Sequence, residues 1–181
     1  MPSAATDRAI ADVFVRVFVA YRVRLIGGAA EPRYVAGTAD SSPRLFYTKD
    51  FASSALHEAA HWCLAGKRRR AIDDFGYDYL PTAARSGADQ LRFETAEVRA
   101  QALEWLFSIA AGVDFHVSVD NVERDRTMFV AALLSETATR IATNDGRLPA
   151  RAERFRCALA DCFGGPAAPT LAQLQAASTR V

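Results

Sequence analysis

His57-Glu58-Ala59-Ala60-His61 lies between Ala55-Leu56 and Trp62-Cys63-Leu64-Ala65-Gly66, a run without a charged residue outside the motif. Histidines four apart on a helix leave one face about one turn apart, so both imidazoles reach a single divalent ion. Glu58 is rotated away from that face. A chance pair of histidines on a solvated or core face is the alternative. The apolar flanks and a total of 3 histidines favour a built site. The helix is expected to begin near Ser53 or Ser54, whose hydroxyls can cap free amides. It is expected to stop at Gly66, with Lys67-Arg68-Arg69-Arg70 near its negative end.

Working outward, Ile10, Val13, Phe14, Val17, Phe18 and Tyr21 recur at helical spacing after Asp7, a candidate cap. Arg22 to Ile26 alternates up to Gly27-Gly28, and Arg33-Tyr34-Val35 and Arg44-Leu45-Phe46-Tyr47 read as short strands of a partly antiparallel sheet. On the other side, Asp74 to Leu80 reads as an extended aromatic segment and Pro81 to Gln90 as a loop. Leu91 to Glu97 leads into a helix with an apolar stripe of Val98, Ala102, Trp105, Leu106 and Ile109, ending at Gly112. Two further helices are predicted, over Arg124 to Thr143 and over Pro149 to Phe163, the latter with proline in its first turn and glycines after its end. The fold class expected is α+β: one compact domain over 1–181, with a small mixed sheet packed by several helices and the motif on a central helix. Residues 166–181 are expected to be a frayed Ala-rich tail, with a short helix around Leu171 to Leu174.

Bulk composition narrows the function. With 22 basic against 21 acidic residues, a formal charge of +1 offers no field for a polyanion, so nucleic acid is not the expected partner. Cys63, Cys157 and Cys162 are odd in number and form no C-x-x-C pair, which suits reduced thiols. The N-terminus lacks the pattern of a secretory signal, and no apolar run approaches membrane length. A cytoplasmic protein that does not enter a membrane is the expectation.

Two imidazoles leave a divalent ion under-ligated, so a carboxylate from elsewhere must complete the set. Glu97 and Glu94, three apart near the start of the next helix, are the first candidates, with Glu97 preferred; Asp74 and Glu104 remain open. In hydrolases the glutamate at Glu58 activates metal-bound water. In an oxygenase it holds water or substrate beside the ion. The spacing does not choose between them. His116 is expected to pack or face solvent. A closed structural zinc site would need a fourth ligand, and Cys63 is poorly placed to be one.

The run from Phe51 to Asn121 resembles the elongation factor P hydroxylase family. The blocks that carry the resemblance are Ala52 to Lys67, Asp74-Phe75-Gly76-Tyr77, Phe93-Glu94-Thr95-Ala96-Glu97-Val98, Gln101 to Phe107, and Val117-Ser118-Val119-Asp120-Asn121. The family pattern has proline before the glutamine at 101 and tryptophan between the two tyrosines, where this chain has Ala100 and Asp78. The resemblance implies a metal-dependent hydroxylase acting on the β-lysylated lysine of translation elongation factor P. It implies Fe(II) and molecular oxygen, with His57, His61 and Glu97 as metal ligands. A cationic substrate side chain would meet counter-charge at Glu58, Glu94 or Asp78, and Tyr77 or Tyr79 could cover its methylene stem. A zinc metallopeptidase-like hydrolase using the same motif stands as the alternative.

Overall fold

The computed structural model describes residues 4–76, 86–119, 126–142, 148–166, 170 and 172. Tyr77, Asp78, Tyr79 and the short helix expected at 171–174 therefore lie outside the described residues, apart from residue 172. Helix α1 spans Asp7–Val17. Strands β1 (Arg24–Ala29), β2 (Arg33–Val35) and β3 (Arg44–Thr48) follow, then α2 (Ala52–Leu64), which carries the motif. Helices α3 (Gly87–Ala111), α4 (Arg126–Ala142) and α5 (Ala150–Phe163) complete the order. The sheet order is β1-β3-β2, with β1 parallel and β2 antiparallel to β3. The mixed sheet and the α+β class are thus as the sequence predicts.

The element boundaries differ from the sequence reading where local chemistry has two solutions. The cap of α1 is Thr6, whose Oγ1 accepts from the amide of Ala9 at 3.2 Å. Asp7 is already helical, and its carboxylate accepts the Tyr47 hydroxyl at 2.8 Å instead. β1 does not end at Gly27-Gly28 but passes through them. Its register against β3 shifts between Ile26 and Ala29, and Gly28 sits at φ 78, so the pair forms a bulge. Neither Ser53 nor Ser54 caps α2. The chain leaves β3 through Lys49 and Asp50, both left-handed, and this tight turn starts the helix at Ala52 with Phe51 in the cap position and no side-chain cap bond. Pro149 precedes α5 as its cap residue rather than lying in the first turn.

Two larger corrections concern the chain after the motif. Asp73–Gly76 is a tight 3₁₀ turn with Asp74 at φ 48 and Phe75 at φ 58, not an extended segment. The strained turn is pinned to β2: Asp74 Oδ1 accepts from the amide of Tyr34 and Asp73 Oδ1 from that of Ala36, each at 2.8 Å, and Phe75 stacks on Tyr34 with ring centroids 4.3 Å apart. The next helix begins at Gly87, capped by Ser86 Oγ, so the last four residues of the expected loop are helical and Glu94 and Glu97 lie well inside α3 rather than at its start. Its C-terminus is the expected one, with Gly112 left-handed at φ 69.

The main core gathers α1, α2, α3, α5 and the inner face of the sheet. Ala55, Ala59 and Ala60 are fully buried on α2, and such small side chains let neighbouring elements approach its backbone closely. Trp62, on the same face as Ala55 and Ala59, lies within 5.3 Å of Phe14 and 4.6 Å of Phe18, ring to ring. The last carbonyls of α2 are met by Arg151, which donates to Cys63 O at 2.9 Å and to Ala65 O at 2.6 Å, and by Arg70, which also donates to Ala65 O. A smaller cluster of Ala102, Trp105, Phe115 and Leu133 joins α3 to α4. The motif helix is therefore held on several sides before any ligand binds.

Gly165 passes directly over the C-terminal carbonyls of α3, where an added Cβ would run into the oxygens of Ile109 and Ala110. Gly165→Ala is expected to lower stability by about 1–3 kcal/mol, seen as a reduced thermal midpoint. Gly66→Ala, where nothing lies within 4 Å of the new Cβ, is expected to stay within about 0.5 kcal/mol of the parent.

Candidate metal centre

The centre is built where α2 packs on α3. His57 and His61, one turn apart on α2, turn their Nε2 atoms toward one point, 3.0 Å from each other. Glu97 of α3 supplies the third corner, with carboxylate oxygens 3.3 Å from His61 Nε2 and 3.7 Å from His57 Nε2. Among the described residues, this is the group of three or more His, Cys, Asp or Glu side chains whose donor atoms converge closely enough for one ion. No cysteine belongs to it. Donors bound at about 2.0–2.2 Å lie about 3.0 Å apart at right angles and about 3.4 Å apart at tetrahedral angles. The imidazole pair at 3.0 Å, with one Glu97 oxygen 3.3 Å from His61 and the other 3.7 Å from His57, therefore fits a divalent ion held by two imidazoles and one carboxylate.

The other candidates have different occupations. Glu104, two turns beyond Glu97, accepts a hydrogen bond from His57 Nδ1 at 2.8 Å. A carboxylate accepts, so the proton belongs on Nδ1 and the Nε2 lone pair is left for an ion. Glu94 is buried and accepts from Gln90 at 3.0 Å. Asp74 is spent on the Tyr34 amide. Glu58 is only 9 % exposed beside the two imidazoles. Burial holds its carboxyl above the usual range, although the charges of His57 and His61 pull the other way.

What sequence reasoning missed is the frame around these three side chains. On α3, Gln90, Glu94, Glu97, Gln101, Glu104 and Ser108 recur at spacings of four and three, the rhythm normally filled by apolar residues in a helix seam. All but Glu97 are buried, and Glu97 is 16 % exposed. Read as a pattern, this polar seam would have marked the face of α3 that meets the motif. Gln101 fixes the chain beyond α3, its amide donating to Ser118 O at 2.8 Å and accepting from Ser118 N at 3.1 Å.

The model of the family described as "Elongation factor P hydroxylase" matches residues 13–174. The chain belongs to the elongation factor P hydroxylase family. A relative from Haemophilus influenzae, named elongation factor P lysine hydroxylase, is 42 % identical over 144 residues, covering 77 % of this chain and 78 % of its own. The motif helix and the Glu97–Glu104 stretch of α3 both lie inside the region matched by the family.

In this member of the family, charge balance at the metal-free centre is set by the carboxylates. Burial alone would lower the pKa of His57, but the hydrogen bond and charge of Glu104, then Glu97 and Glu58, outweigh it and push the group up to about 10. Burial would raise Glu97, yet its bond to His61 and the charges of both imidazoles hold it down at about 2. A doubly protonated His57 donates to Glu104 and turns its second N–H toward the Glu97 carboxylate, so a proton stands in for the cation that the three side chains would hold. Loading a metal must therefore release it.

The sign of the resulting pH dependence follows. His57 has a folded pKa above its ordinary 6.5, so its contribution is complete below about 6.5 and is lost as pH rises through about 10. In chelator, Glu104→Gln should lower the thermal midpoint most at pH 6, and the gap from the parent should shrink steadily toward pH 10. A gap that widens with pH contradicts this account of the pair.

Proposed function

We propose that this protein hydroxylates the lysine side chain of translation elongation factor P, in its β-lysylated form, as a non-haem iron enzyme in the cytoplasm. The observation that carries this reading is the His57–His61–Glu97 triangle in a chain that belongs to the elongation factor P hydroxylase family. Family membership also favours hydroxylation over the zinc hydrolase that the H-E-x-x-H spacing alone leaves open. Among the described residues no helix is long and apolar enough to cross a membrane.

On this reading His57, His61 and Glu97 hold the ion, and two imidazoles with one carboxylate suit iron(II). Iron bound there supplies oxygen activation. The chain's own residues do the positioning. Glu104 keeps the His57 ring turned, with its Nε2 toward the centre. Glu97 offsets part of the ion's charge. Glu58, buried beside both rings, holds water or the cationic end of the substrate lysine close to the reacting carbon. Tyr77 and Asp78 are the residues proposed to contact the substrate from the segment after the strained turn.

The deciding experiment incubates the iron-loaded protein with β-lysylated elongation factor P under air and weighs the modified peptide. Gain of one oxygen atom supports the reading; an unchanged mass with cleaved test peptides supports a hydrolase. His57→Ala and Glu97→Ala are expected to lose both bound metal and turnover. Glu94→Ala should keep the metal, and Glu104→Ala should keep the site but weaken affinity by about 10–100-fold, measured by competition with a chelating dye.

A further inference from the structure

A groove of about 910 Å³ leads away from His61, between the end of α2 and the outward face of α3. Five cations line it, and among the described residues no carboxylate does: Lys67, Arg68 and Arg69 from the turn after α2, Arg92 and Arg99 from α3. All five are exposed. In a chain of 22 basic and 21 acidic residues, this is a strong local concentration of one sign. Arg92 also reaches Asp89, one turn back on the same helix, at 3.3 Å, an exposed pair that leaves the guanidinium facing water. Arg92 and Arg99 stand about 10 Å apart along the helix. Thr95 and Ala96 lie between them, so the floor there is low, and Leu64, Phe75 and Leu91 give it an apolar lining.

These features select among anionic ligands. A small carboxylate or phosphate needs one or two enclosed cations, whereas these five are spread along an open trough. Single-stranded nucleic acid needs aromatic faces on which bases stack. Among the described residues the aromatic side chain in this lining is Phe75, 5 % exposed and already stacked on Tyr34. An extended polypeptide whose acidic side chains meet the rim while apolar ones meet the floor fits both charge and lining. The neighbouring centre has the opposite sign, with Glu58, Glu97 and Glu104 clustered around the two imidazoles. A cationic lysine is drawn to one end and acidic neighbours to the other.

We propose that this groove is the docking surface for an acidic, partly apolar segment of the protein substrate, which seats the target lysine over the His57–His61–Glu97 centre. The identity of that substrate rests on the hydroxylase reading above. The surface itself rests on the cations and the floor between them.

The test uses two charge-reversal variants of exposed residues, K67E/R68E and R92E/R99E, with circular dichroism to confirm folding. Labelled β-lysylated elongation factor P is titrated with metal-free parent and variants, and hydroxylation is measured on the iron-loaded forms. Each variant is expected to raise both Kd and KM at least about tenfold while kcat stays within about twofold, and raising salt from about 50 to about 300 mM should weaken the parent in the same direction. Reversing acidic residues on the substrate should restore part of the lost affinity of the reversed groove. Unchanged Kd and KM in both variants overturn the proposal even if the parent adds oxygen. Binding that the reversals abolish, without oxygen transfer by the parent, keeps the docking surface and removes the hydroxylase reading. Tighter binding of a short single-stranded RNA at the same residues would give the groove to nucleic acid and overturn the proposal.

Discussion

The candidate metal centre depends on the packing of α2 against α3. Two imidazoles on one helix cannot close a metal site by themselves, and a helix carrying buried glutamates is unstable unless those carboxylates find partners. Each helix supplies what the other lacks. His57 lies between Glu97 and Glu104, one on each side of its ring, while His61 meets Glu97. The same contact that satisfies the buried charges sets the three donor atoms around a common point.

The rest of the fold reads as support for that contact. Alanines on α2 let neighbours come close, Trp62 packs with its aromatic partners, and Arg70 and Arg151 engage the last carbonyls of the helix. The mixed sheet packs against α2 and holds the strained Asp73–Gly76 turn through the amides of Tyr34 in β2 and Ala36 just after it. Strain of this kind persists only where the surroundings over-determine it, and here it shapes one wall of the cationic groove.

Much of this is legible from residues alone, and the remainder is hidden for physical reasons. His57 and His61 are readable because four-residue spacing has one geometric meaning on a helix. The strands at Arg33–Val35 and Arg44–Thr48 are readable from short β-rich runs between turn residues. The third corner is not, since Glu94, Glu97, Glu104 and Asp74 satisfy the same chemical requirement and only tertiary packing separates them. Gly27-Gly28 resembles a strand end because a bulge and a terminus use the same residue. Ser53 and Ser54 resemble caps, but the left-handed turn at Lys49-Asp50 fixes the helix start one residue before the first of them. The polar seam on α3 is hard to read from residues alone because an apolar stripe runs beside it on the same helix.

X-ray absorption of the iron(II)-loaded protein tests the centre most directly. The account predicts a first coordination shell of nitrogen and oxygen with the multiple-scattering signature of two imidazole rings, reduced to one ring in His61→Ala. A shell containing sulfur, or one ring in the parent, would contradict it.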